Sequence, residues 1–253
     1  MLEDLQARRE AARILRPLYE ADALNEKLLR VLEIEAEHAD SPSEKLATIA
    51  QAVRVAEGPL GDPKRAFSYA ARGLREAVAD PELPAWIERV ERLTALTGKH
   101  ADLVSLLREA VVEILDGDVQ LAVMLRIAEI ARSPLGDRAL AKEYYVRALD
   151  LRGDDRRALV ALEGLYEETG DHAALLDVVK RRADAAETDA ERKQLLFKQA
   201  RLCDEKLGDG RAAIAVYEQI LDMGLDPQAI AAIERLYTQA ERWDCLLYTS
   251  RCV

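Results

Sequence analysis

The sequence predicts an all-α solenoid of stacked helical hairpins, and three observations carry that prediction. First, the chain repeats itself. Leu60-Gly61-Asp62 returns as Leu135-Gly136-Asp137 and as Leu207-Gly208-Asp209, at offsets of 75 and 72 residues. Leu28, Leu103 and Leu175 keep the same step, as do Leu74, Leu149 and Leu221. Leu18, Leu93 and Leu165 follow it too, with Leu236 a further 71 residues on. A long fixed period means supersecondary units that stack. Second, the composition is rich in Ala, Leu, Glu and Arg, which are strong helix formers, and no strand-like alternation of Val, Ile and Thr occurs. Third, apolar residues recur at helical spacing between the turn signals.

Each long unit divides into four helices, that is, two hairpins. The units span 7–80, 81–154 and 155–226, with a partial fourth at 227–244. In the first, Ser41-Pro42-Ser43 forms the loop between the second and third helices, and the Leu60-Gly61-Asp62 turn separates the third from the fourth. In the second, the first helix covers Leu83–Thr97 and stops at Gly98. The next begins near Ala101, carries Leu103, Leu106, Leu107, Ala110, Val111 and Ile114, and breaks at Asp116-Gly117-Asp118. The third runs through Leu121, Leu125, Ala128 and Ala131 to a stop at Pro134–Asp137. The fourth holds Ala141, Tyr144, Tyr145, Ala148 and Leu149 and ends near Gly153. In the third unit Gly170-Asp171 and Gly208-Asp209 punctuate the helices, and Thr188-Asp189 matches the Ser41 loop, with Ser41 in the one and Asp189 in the other expected to cap the helix that follows. Glycine supplies the left-handed residue that closes a helix. The Asp or Ser that follows caps the next one. Connections of two to five residues force antiparallel neighbours. No Ser- or Gly-rich linker interrupts the array, so one continuous domain over 1–244 is expected.

The half-unit of about 36 residues is close to the tetratricopeptide period. Leu159, Leu162, Tyr166 and Gly170 resemble the first helix and turn of that repeat. Gly136, Ala141, Tyr145, Ala148 and Leu149 resemble its turn and second helix. Gly208, Ala213, Tyr217 and Leu221 do so again, with Pro227 at the closing proline. Tyr19, Tyr166 and Tyr237 share one slot, where the second unit has Thr94. The chain thus resembles a degenerate tetratricopeptide array of bacterial type. The resemblance implies a right-handed superhelix of six to seven hairpins whose first helices line a concave face that binds protein or peptide, without chemistry of its own. The match departs at Glu91, Glu163 and Glu234, where the family prefers a small residue; looser or rotated hairpins are expected there.

Charge and composition narrow the function further. The formal net charge of −11 disfavours nucleic acid and anionic membranes as partners. Arg8-Arg9, Arg156-Arg157 and Arg181-Arg182 read as solvated helix faces. Cys203, Cys245 and Cys252 give neither a disulfide framework nor metal spacing, and Cys203 reads as a core residue. His100 and His172 open equivalent helices, where the first unit has Asn25, and His38 is isolated. No metal site, cofactor site or nucleophilic arrangement follows from these residues. No segment is apolar enough to span a membrane. A cytoplasmic location is expected if Met1 is the true start. Cys245-Leu246-Leu247-Tyr248-Thr249-Ser250 resembles a translated sequencing-library adaptor, so 245–253 is read as a non-native tail. Trp86, beside Pro84 and Ile87, reads as packing between hairpins.

The expected function is a non-catalytic protein-interaction scaffold. The alternative is the repeat or regulatory region of a larger signalling protein or enzyme. Glu91, Glu163 and Glu234 lie on first helices, two residues before a core leucine, which turns them to the opposite side of the helix. They form the candidate partner-binding set: an acidic stripe suited to a basic segment.

Overall fold

The computed structural model describes residues 2–239, with side chains from Ala7 onward. The expectations for Trp243 and for the 245–253 tail lie outside the described residues. Among the described residues every regular element is helical. In chain order these are α1 (Leu2–Ala21), α2 (Asn25–Glu37), α3 (Pro42–Glu57), α4 (Pro63–Glu76), α5 (Leu83–Thr97), α6 (His100–Ala110) and α7 (Gly117–Arg132). They continue as α8 (Arg138–Leu151), α9 (Arg156–Thr169), α10 (His172–Asp184), α11 (Asp189–Arg201), α12 (Gly210–Asp222) and α13 (Pro227–Gln239). A π-helical turn, Leu202–Lys206, extends α11. By packing, the chain forms two compact units, Met1–Asp137 and Arg138–Val253. The division falls inside the second sequence unit. Within each, the main packing joins helices that are adjacent in the chain or one apart, the signature of a solenoid.

The repeated triplet makes the same turn three times. Gly61, Gly136 and Gly208 take φ values of 59°, 69° and 67°. The leucine N–H donates to the carbonyl five residues back, at 3.2 Å from Leu60 to Val55, 3.1 Å from Leu135 to Ile130 and 3.0 Å from Leu207 to Leu202. The aspartate N–H donates six residues back, at 2.8 Å in each copy. The carboxylates of Asp62 and Asp209 then accept from Arg65 N–H and Ala212 N–H, both at 2.9 Å. One signature therefore closes a helix and, through its aspartate, opens the next. The turn before the second helix of a unit is also shared. Gly98 and Gly170 sit there at φ 71°, but the first unit places Ala23 at φ 52°. An L-residue pays roughly 1–2 kcal/mol for that left-handed conformation.

The core is a file of small and large side chains at the helix crossings. Ala141, Ala148 and Ala213 are fully buried, which lets their helices approach closely. Trp86 is buried as packing at the α4–α5 crossing and lies against Gly73 of α4. Three local expectations change. Helix α6 stops at Ala110, short of Ile114, where the β-branched pair Val111–Val112 lowers helix propensity. Val111 and Ile114 still pack inward, which leaves Val112 and Leu115 exposed. Thr188, not Asp189, caps α11, accepting from Glu191 N–H at 3.2 Å. Leu18 is exposed while its counterparts Leu93, Leu165 and Leu236 are buried, because α1 is the outermost helix of the described stack.

Candidate partner-binding surface

The first helices of the hairpins are α1, α3, α5 and α7 in one unit and α9, α11 and α13 in the other. Each packs against a helix next to it in the chain within its own unit. The polar side chains left over meet across neighbouring first helices. Arg92 of α5 clasps Glu57 of α3 with both terminal nitrogens of its guanidinium. Arg126 of α7 donates to Glu91 of α5 at 2.5 Å. Arg156 of α9 reaches Glu191 of α11 at 2.8 Å. Lys198 of α11 bridges Glu163 and Glu167 of α9. Arg235 of α13 pairs with Asp204 in the π-helical turn. Exposed pairs contribute about 0.2–1 kcal/mol each. Their stronger effect is to cancel charge where the sequence suggests an acidic stripe.

The three candidate glutamates consequently have three different surroundings. Glu91 is partly exposed and bound to Arg126. Glu234 is exposed on α13. Glu163 departs from expectation: it is buried. Its carboxylate lies between Arg182 of α10 and Lys198 of α11. The two-residue step from Leu165 does turn it away from that leucine. The far side of α9 is not solvent, however, because α10 and α11 both send cations to it. Burial opposes ionisation of Glu163, but the hydrogen bonds from Lys198 and Arg182 outweigh it, and the net pKa lies below the ordinary value of 4.5. Glu163 is therefore a structural counter-ion with little reach to an outside partner.

Two clefts open on the first-helix side of Met1–Asp137. Between α5 and α7 lies a groove of about 640 Å³. Its floor is apolar, with Pro84, Ile87, Val119 and Val123, and its rim holds Glu88, Glu91, Asp118 and Arg126. Between α1 and α3 lies a polar cleft of about 470 Å³ with four arginines. Sequence reasoning named Glu91 but missed both clefts. The signal for the first was present as Pro84 and Ile87 on one helix and Val119 and Val123 on another, but pairing them required the rotation of the hairpins. Among the described residues no group of three or more His, Cys, Asp or Glu side chains converges as metal ligands would. No described helix is long and apolar enough to cross a membrane.

The hairpins, their shared turns and their nearest-neighbour packing define the class: a tetratricopeptide-like helical repeat protein. No family model matches the sequence, and no curated protein sequence matches it. Solved structures do. The chain is similar to one in the structure of Naa15/Naa10 bound to HypK-THB, at 15% identity and a TM-score of 0.51. That match covers 97% of this chain and 36% of the other, so the chain spans about a third of its length. It is also similar to pilF of Pseudomonas aeruginosa, at 16% identity, 94% and 99% coverage and a TM-score of 0.40. YrrB, a TPR protein with an unusual peptide-binding site, matches at 13% identity, 77% and 91% coverage and a TM-score of 0.39. At these identities the likeness speaks for the fold alone.

Proposed function

We infer that this chain is a protein-interaction scaffold that takes a partner segment in the α5–α7 groove. One observation carries the reading. Two first helices, already tied together by Glu91 and Arg126, leave an apolar trough between them with carboxylates on its rim. An apolar floor with a few convergent polar groups is the usual form of a ligand groove. The rim sets the chemistry. Glu88 is exposed there, and the cation beside Glu91, Arg126, is shared between Glu91 at 2.5 Å and Glu129 at 3.3 Å. The occupant that fits is a segment with an aliphatic anchor flanked by Lys or Arg. Of the candidate glutamates, Glu91 keeps a binding role in this reading, Glu234 stands apart on α13, and Glu163 has none.

The test is fluorescence anisotropy with labelled peptides that carry one Leu between basic residues. Replacing exposed Ala122 with Trp fills the trough and should weaken binding by about tenfold or more. Glu88→Gln with Glu91→Gln should weaken it and flatten its salt dependence. Binding that survives both changes would remove the groove from the account.

A further inference from the structure

The α1–α3 cleft has the opposite character. Arg9, Arg13, Arg16 and Arg54 line it against the carboxylates of Glu35 and Glu44. The chain holds 47 acidic residues and 36 basic ones, so four arginines in one cleft run against its composition. Two of the four are used by the fold. Asp40 holds Arg9 at two points. Arg16 is divided among Glu35 at 2.8 Å, Glu20 at 3.2 Å and the side-chain oxygen of Gln51. Glu44 is occupied as well: it accepts from Asp40 N–H at 2.9 Å beside the cap of α3.

Arg13 and Arg54 remain. Both are exposed, and among the described residues neither side chain makes an ion pair or hydrogen bond. Arg13 only adds its field to Asp40, which Arg9 already holds. Arg54 instead confronts another cation. Arg89 of α5 stacks 4.4 Å from the centre of the Trp86 ring. Burial first, and then the charge of Arg54, pull its pKa down. The fold gains no hydrogen bond from the Arg54 side chain and places it where like charge opposes it. Each guanidinium keeps a planar fork of donors that matches a carboxylate at two points.

We propose that the α1–α3 cleft binds an acidic peptide segment of a partner protein, with Arg13 and Arg54 each receiving a carboxylate. The site is separate from the α5–α7 groove and does not depend on it. A nucleic acid fits less well. Among the described residues no aromatic ring lines the cleft to stack a base, and the net charge of −11 repels a long polyanion. A short acidic segment meets only the local field.

The experiment uses the full chain and a labelled peptide of alternating Glu and Gly, read by fluorescence anisotropy. The same peptide with Lys for Glu, and an oligothymidylate of equal charge, serve as comparators. The acidic peptide should bind, the Lys peptide should not compete for the same site, and affinity should fall several-fold between about 0.05 and about 0.3 M salt. Arg13→Gln with Arg54→Gln should weaken binding by about tenfold or more. Its helical circular dichroism and melting should stay unchanged, because neither side chain holds a partner. Glu88→Gln with Glu91→Gln should leave acidic-peptide binding intact, which separates this site from the groove. Absence of wild-type binding at about 1 mM peptide, equal binding by the double arginine variant, or tighter binding of the oligothymidylate would each overturn the proposal.

Discussion

Gly73→Ala sets two physical rules against each other, and the structure says which one wins. Gly73 lies inside α4, where glycine is disfavoured; on propensity alone, alanine should stabilise by about 0.8–1.0 kcal/mol. A Cβ built there falls 2.1 Å, 2.4 Å and 2.5 Å from three ring carbons of Trp86. Carbon–carbon contact is comfortable at about 3.5–4.0 Å, so the ring would have to retreat by roughly 1.5 Å. Trp86 is 1% exposed and belongs to the next helix, α5. It cannot retreat unless the α4–α5 crossing widens. Overpacking of this kind costs about 1–3 kcal/mol, occasionally more, and a displacement this large belongs at the upper end. Subtracting the propensity gain leaves a net loss of about 2 kcal/mol. For a chain of this size that lowers Tm by about 4–8 °C. Urea and thermal unfolding measure both. The decisive comparison repeats the change in a Trp86→Leu background. With the ring gone, alanine should become neutral or stabilising, giving a coupling of about 2–3 kcal/mol between the two positions. A higher Tm for Gly73→Ala alone would refute the reasoning, since it would show that propensity governs and that the crossing is not tight.

Two further stability predictions follow from single sites. Ala23→Gly should raise stability by about 1 kcal/mol by removing the strain of an alanine at φ 52°, read as a higher urea midpoint. Glu163→Gln should lower stability at neutral pH by about 2 kcal/mol, because Arg182 and Lys198 lose their charged acceptor. The folded pKa of Glu163 lies below 4.5, so its contribution is complete above pH 4.5 and disappears as pH falls through the lower folded value. The stability difference between wild type and Glu163→Gln should therefore shrink below that pH, and a constant difference down to strongly acidic pH would count against the buried ion pair.

Much of the fold was legible because local chemistry sets it. The Leu-Gly-Asp triplets specify their own turns through a left-handed glycine and a capping carboxylate, and neither needs a distant partner. The same holds for Gly98 and Gly170. Legibility fails where an answer depends on how one hairpin is rotated against the next. Glu91, Glu163 and Glu234 share one register in the sequence, yet only Glu163 is enclosed, because α10 and α11 each supply a cation from a different direction. Gly73 carried no signal of its own; its meaning lies in Trp86, thirteen positions on and on another helix. Val111 and Ile114 read correctly as core, but their helix ends before them.

In a chain that is one-third charged, function cannot be located by asking where charge is abundant, since charge is everywhere. It is located by asking which charges the fold leaves unspent. Arg92 serves Glu57, Arg126 serves Glu91, Arg156 serves Glu191, and Lys198 with Arg182 serves Glu163. These pairs tie neighbouring helices and leave little field for a visitor. What is left is a groove with Glu88 exposed on its rim and its lining arginine, Arg126, committed to Glu91 and Glu129, and a cleft in which, among the described residues, neither Arg13 nor Arg54 makes an ion pair. The two sites carry opposite charge, and both lie on first helices of Met1–Asp137. Salt should therefore weaken a basic ligand at one and an acidic ligand at the other, while neutralising Arg13 and Arg54 should affect only the acidic one. A single non-specific electrostatic surface would respond to one sign of ligand alone, so titrating both peptides against both variant pairs distinguishes two built sites from the average field of an acidic protein.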